Sequence, residues 1–143
     1  RGALIPEGND MTIINLTQHP ATAEQIEAGV LDLSPADRAL LSSALTFDEA
    51  PDEATLVARA ITIAMMAAGH SSGARSAMIG GAPGTPYFMR PLESALWAEN
   101  IRPLYAFSGR VRIERPRPSG AIEKITAIRH VGFVGSEFME ISR

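Results

Sequence analysis

Cysteine is absent from the 143 residues. That excludes disulfides, thiolate nucleophiles, cysteine-held zinc and iron–sulfur clusters, and it permits a reducing, cytoplasmic setting, which is the expected one. Histidine is scarce: His19, His70 and His130 show no helical His-x-x-x-His spacing, so no metal centre is expected. Long hydrophobic runs are missing as well. Arg59 and Thr62 interrupt the longest apolar helical pattern, and no segment reads as membrane-spanning. The nucleotide signatures are also lacking. Gly80-Gly81 is followed neither by the Gly-Lys-Ser/Thr of a Walker loop nor by a Gly-x-Gly-x-x-Gly fingerprint. Magnesium-bound ATP and NAD are therefore not expected, and no cofactor is assigned.

What is present suits one globular domain, with 45% apolar and 20% charged residues and enough chain to bury a core. The net charge of −3 hides an asymmetry: residues 1–60 carry three basic and ten acidic side chains, residues 61–143 ten basic and six acidic. Seven of the basic ones fall within 102–129. A positive region on an acidic chain points to a focused anion site, and argues against general coating of duplex nucleic acid. The equally simple reading is a solvated hairpin whose arginines bind nothing.

Thr12–Leu16 is a short apolar run with a polar stop, read as a buried first strand. Thr22 caps a short helix from Ala23 to about Ala28, stopped by Gly29. Ser34-Pro35 opens a second helix to about Leu45, with Leu40, Leu41 and Ala44 inward. The strongest helix covers Asp52 to Ala68, with Leu56, Val57, Ala60, Ile61, Ala64, Met65 and Ala68 as its packed face. Arg75–Ile79 is the second strand, and a helix runs from Pro91 to Asn100, its start near Pro86 left open. Leu104–Phe107 is the third buried strand, 110–114 a half-exposed one, and 122–134 returns after the turn at 116–120. Strands separated by helices imply parallel pairing. The expected fold is α/β, a Rossmann-like three-layer sandwich with a C-terminal antiparallel hairpin. The domain is expected over 11–134; residues 1–10 read as a tail or vector-derived remnant, and 135–143 as a C-terminal tail.

Ligands of open α/β sheets sit beyond the carboxyl ends of the parallel strands. Three such ends carry polar groups here: Thr17, Gln18 and His19; Gly80, Gly81 and the loop through Thr85 to Tyr87; and Ser108 and Arg110. The glycines permit positive φ and close approach to backbone N–H groups, or else simply form a tight turn. His19 is the candidate acid–base group, Ser108 a nucleophile or ligand contact, and Arg110 the anion clamp. His130 is the remaining catalytic candidate, on the opposite strand face from Arg129. Tyr87 is the candidate for stacking on a base. Each also has a plain structural reading as cap, turn or surface residue.

The segments Ile13–His19, Ala77–Pro83, Pro103–Arg110 and Arg129–Val134 together resemble a small family of uncharacterised bacterial and phage proteins. The resemblance spans nearly all of 11–134 and implies no particular activity, and Gly84-Thr85 lengthens the glycine loop relative to its pattern. In layout the chain is similar to CRISPR-associated Rossmann-like sensor domains and ring nucleases, small dimers that bind cyclic oligoadenylate at strand ends. That likeness implies phosphate contacts from Gly80, Gly81, Ser108 and Arg110, with His19 or His130 polarising a scissile phosphate. The expected function is binding of a nucleotide-like or other phosphate-bearing ligand at the strand ends, extending to metal-independent phosphodiester cleavage. The alternative is a non-enzymatic phage or mobile-element accessory protein whose arginine hairpin contacts a protein partner. A homodimer is compatible with either.

Overall fold

A computed structural model of the chain describes residues 4–5, 11–80 and 86–136. The strands are β1 (Leu4–Ile5), β2 (Ile13–Asn15), β3 (Val30–Leu31), β4 (Ser76–Met78), β5 (Arg102–Pro116) and β6 (Ile122–Gly135). The helices are α1 (Ala23–Glu27), α2 (Pro35–Leu45), α3 (Glu53–Ala68) and α4 (Pro86–Ala98). The sheet order is β1-β6-β5-β4-β2-β3. Pairs β3/β2, β2/β4 and β4/β5 are parallel, whereas β5/β6 and β6/β1 are antiparallel. Mixed α/β architecture, mostly parallel with a C-terminal antiparallel pair, is therefore the fold.

Local chemistry explains the helix starts. Thr22 and Gln25 form a reciprocal capping box on α1. Ser34 accepts from the Asp37 N–H with Pro35 at the first helical position. Asp52 accepts from the Thr55 N–H at 2.8 Å, and those bonds hold its carboxyl below the usual range. α4 begins at Pro86 and contains Pro91. Pro91 falls just beyond the first turn, whose N–H groups lack intrahelical partners anyway, so it removes one helical bond, to the Tyr87 carbonyl.

Successive strand residues feed opposite faces. Ile14, Leu16, Ala77 and Ile79 join one core with α2, α3 and α4. Ile13, Met78, Leu104 and Phe133 form a second cluster, against which Ala21 and Ala28 beside α1 pack. The connection from β2 to β3 thus runs on one face, and those from β3 to β4 and from β4 to β5 on the other. This is what right-handed crossovers require when the chain turns outward in opposite directions from two adjacent strands.

Several expectations are corrected. Leu40 is exposed, and α2 buries Leu41 and Leu45. On α3 the buried face is Ala60, Ile63, Ala64 and Ala67, leaving Val57, Ile61 and Met65 in solvent. β3 adds a parallel edge strand that the sequence reading passes over. It depends on Gly29, whose φ is 109° and whose carbonyl accepts from the Ile13 N–H. A Cβ at Gly29 would stand 2.2 Å from the Met11 carbonyl oxygen, so only glycine fits. Finally, β5 does not end at Phe107. It runs unbroken to Pro116, with an irregularity in its pairing to β6 between Phe107 and Ser108.

Candidate functional site

The strand register decides which residues meet. Asn15 lies level with Met78, and Met78 level with Leu104. Two residues further along each chain come Thr17, Gly80 and Ala106, and all three line one cleft of about 310 Å³. His19 and Pro20 close one side, Thr22 and Gln25 of the α1 start another, and Tyr105 forms a wall. The cleft opens between the carboxyl ends of β2 and β4, the two strands whose onward connections diverge to opposite faces. It occupies the topological switch point of the sheet, where open α/β folds hold their ligands.

The loop after β2 is held by Asn15, a residue inside the apolar run to which the sequence reading assigns no role. Asn15 is 1% exposed. Its Nδ2 donates to the His19 carbonyl at 2.8 Å and to Asp32 Oδ1 at 2.7 Å. Its Oδ1 accepts from the Thr17 N–H at 2.9 Å and from Thr17 Oγ1 at 2.7 Å. The amide orientation follows from these partners, since an N–H must meet oxygen and a carbonyl must meet NH₂. Asp32 also accepts from the Ala21 N–H at 3.1 Å and lies 3.7 Å from the Arg38 guanidinium. A buried amide with every donor and acceptor matched fixes loop geometry, because leaving any of them unmatched is costly.

The polar groups of the cleft divide into committed and available. The Thr17 hydroxyl is spent on Asn15. Thr22 Oγ1 and Gln25 Oε1 are spent as acceptors in the capping box, which leaves the Thr22 O–H and the Gln25 NH₂ as donors. The His19 ring is exposed at the rim. Gly80 does not take up positive φ, so it does not serve as the expected left-handed turn. A Cβ there would meet Thr17 Cγ2 at 3.7 Å, an ordinary contact. What the glycine supplies is an uncovered backbone. Tyr105 donates its hydroxyl to Glu93 of α4, and burial followed by that bond pushes the phenol well above its ordinary range. Tyr105 is accordingly a wall and not an acid.

Thr17, His19 and Gly80 are thus brought together, with Gln18 beside them on the same loop. Gly81 and Thr85 lie outside the described residues. Ser108 and Arg110 are not at a strand end, because β5 continues. Ser108 is one same-face step beyond Ala106 and Arg110 two, roughly 7 and 13 Å up the strand. His130 is the register partner of Ser108. Its backbone N–H donates to Glu24 of α1 at 3.2 Å, and its ring packs tilted against Phe133 with centroids 4.9 Å apart. Tyr87 faces a different region, 6.0 Å from the Phe47 ring and beside the groove between α3 and α4. The missed residues are Asn15 and Asp32. The available signal was a polar residue at the third position of an otherwise apolar strand.

A mixed α/β domain with a ligand-sized cleft at the switch point of its sheet is the class that the geometry defines. Residues 11–134 match the family described as the uncharacterized protein MJ1673 family, and the chain belongs to it. Comparison with curated proteins and with solved structures returns no match. No described helix is long and apolar enough to cross a membrane.

Proposed function

We propose that the protein is a Rossmann-like binding domain that takes a nucleotide-like or other phosphate-bearing ligand in the cleft between β2 and β4. The observation that carries this reading is the convergence of Thr17, His19, Gly80 and the α1 start on the switch point of the sheet. At about 310 Å³ the cleft stands at the lower end of the range for small-molecule sites, which suits a single nucleotide unit and not a dinucleotide. Its walls at Met78, Tyr105 and Ala106 offer apolar contact to a base or sugar. His19, the Gly80 backbone and the Gln25 amide offer donors to phosphate oxygens. Among the described residues no lysine or arginine lines the cleft, so the anion is held by backbone and side-chain amide donors and by His19 at the rim.

A thermal-shift panel of mono-, di- and cyclic oligonucleotides without metal tests the reading. A ligand that binds only the folded chain raises Tm, by about 2.7 kcal/mol of stabilisation at one hundred times Kd. One ligand class should raise Tm for the wild type and fail to do so for His19→Ala. Absence of any shift at millimolar ligand would refute the proposal. Metal-independent cleavage, with His19 as acid–base group, extends the same reading, and chromatography of the incubated ligand checks it. The second reading, a non-enzymatic interaction module, is favoured by one observation: the arginine-bearing hairpin beyond Ser108 stands clear of the cleft.

A further inference from the structure

The hairpin beyond Phe107 is poorly supported by its own chain. β4 pairs with β5 only from Arg102 to Leu104, and β1 with β6 only at Phe133 and Val134. From Ser108 to Pro116 and from Ile122 to His130 the two strands pair only with each other among the described residues. A two-stranded ribbon of this kind is marginal in water by itself. It also exposes apolar groups, with Ile128 71% and Ile122 63% exposed. Its root alone is braced, by Glu24 contacts to Arg129 and the His130 N–H.

A second feature answers it. The groove between α3 and α4 is lined by Leu56, Val57, Ile61, Tyr87 and Pro91, with Glu53 and Arg90 among its charged groups. Ile61 is 46% exposed, and Met65 on the next turn 60%. Asp48, Glu49 and Asp52 stand on the loop that leads into α3. Residues 108–130 carry six basic and two acidic side chains, and residues 48–53, at the start of α3, four acidic and no basic. Hairpin and groove are therefore both apolar and oppositely charged at their margins. They also lie at one end of the molecule: the helix preceding β5 runs back along the sheet, so the start of α4 sits at the strand ends from which the hairpin departs, and Phe47, just before α3, packs on Tyr87 and Phe88 there.

We propose that two copies of this chain associate by reciprocal arm exchange, each basic hairpin lying in the α3–α4 groove of the other copy. Exchange about a two-fold axis is closed, because what one copy gives it also receives. Area distinguishes this from a single contact. The arm is about 30 Å long and about 10 Å wide, so each face covers on the order of 300 Å². One arm in one groove buries about 600 Å² in total, the size of an incidental contact, whereas two bury about 1,200 Å², the lower limit of a stable interface. Arm against arm would instead oppose two basic surfaces.

The cysteine-free sequence permits a direct test on the full chain. Light scattering after size exclusion should give twice the chain mass of 15.3 kDa. Single-cysteine variants Ile128→Cys and Ile61→Cys, both at exposed positions, are mixed and oxidised. The proposal expects, as the main product, a disulfide between the thiol introduced at position 128 of one chain and that at position 61 of the other. Val57→Asp with Ile61→Asp should raise the dimer dissociation constant at least tenfold with an unchanged circular dichroism spectrum. A monomer at 100 μM would overturn the proposal. So would a dimer whose main product joins position 128 to position 128, or one that both groove substitutions leave intact.

Discussion

The cleft loop and the hairpin arm are built from comparable polar residues and differ in how many neighbours hold them. In the loop after β2, Asn15 is matched at four bonds, and Asp32 joins the amide to Ala21 and Arg38. In the arm, Arg115 and Arg117 share Glu123 at 3.1 and 2.8 Å, on the surface, while Arg110, Arg112 and Lys124 make no ion pair among the described residues. Buried networks hold geometry, whereas exposed ion pairs contribute about 0–1 kcal/mol and weaken with salt. The comparison separates a loop fixed by buried, matched hydrogen bonds from an arm held by exposed contacts.

The contrast can be broken most forcefully at the frame. Gly29→Ala places a methyl on the Met11 carbonyl and should destabilise the domain by about 2 kcal/mol or more in chemical denaturation. Next, Asn15→Ala leaves Asp32, the Thr17 N–H and the His19 carbonyl without their partner. We expect a loss of about 2–3 kcal/mol, and loss of ligand binding although Asn15 touches no ligand. Arg112→Ala, in the arm, should change stability by less than about 0.5 kcal/mol in the same assay. Equal losses at Asn15 and Arg112 would erase the distinction.

Protonation sharpens it further. The Tyr105 phenol is raised in the folded chain, so its contribution to stability is complete below the unfolded value near 10 and declines as pH climbs beyond it. Ultraviolet titration of a Tyr87→Phe variant should show Tyr105 phenolate forming only well above pH 10, and Glu93→Gln should bring that transition down. The smallest effect lies at acid pH. Asp52 and Glu123 are both depressed, Asp52 by its bonds to Thr55, Glu123 by Arg117 and then Arg115. Their contributions are present above the ordinary carboxylate values and fade as pH falls through the lower folded ones. Substituting Glu123 with Gln should flatten the acid limb of a Tm–pH curve slightly, with no effect on ligand binding.

Much of the fold was legible because its signals are local. The caps at Thr22 and Ser34, and the acidic start of α3 near Pro51, each need only three or four consecutive residues to act. The cleft was legible in part for the same reason, since Thr17–His19 and Gly80 follow short apolar runs. The buried face of α3 was not, because its many alanines make two faces apolar at once. Only packing by α4 and β2 selects Ile63 and Ala67 over Ile61 and Met65. The third strand was misplaced at its end because Gly109 reads as a terminator, whereas pairing with β6 carries β5 past it. Asn15 was passed over because its partners, Asp32 and the His19 carbonyl, arrive from a different strand and a turn.

The central claim is that ligand binds at the switch-point cleft. Backbone amide chemical shifts, followed by NMR while the best ligand of the oligonucleotide panel is added, test this most directly. The account predicts that the largest changes cluster on Thr17 to Gln25, Gly80 and Ala106, and vanish in His19→Ala. Changes confined to Arg110–Arg117, with the cleft residues still, would contradict it.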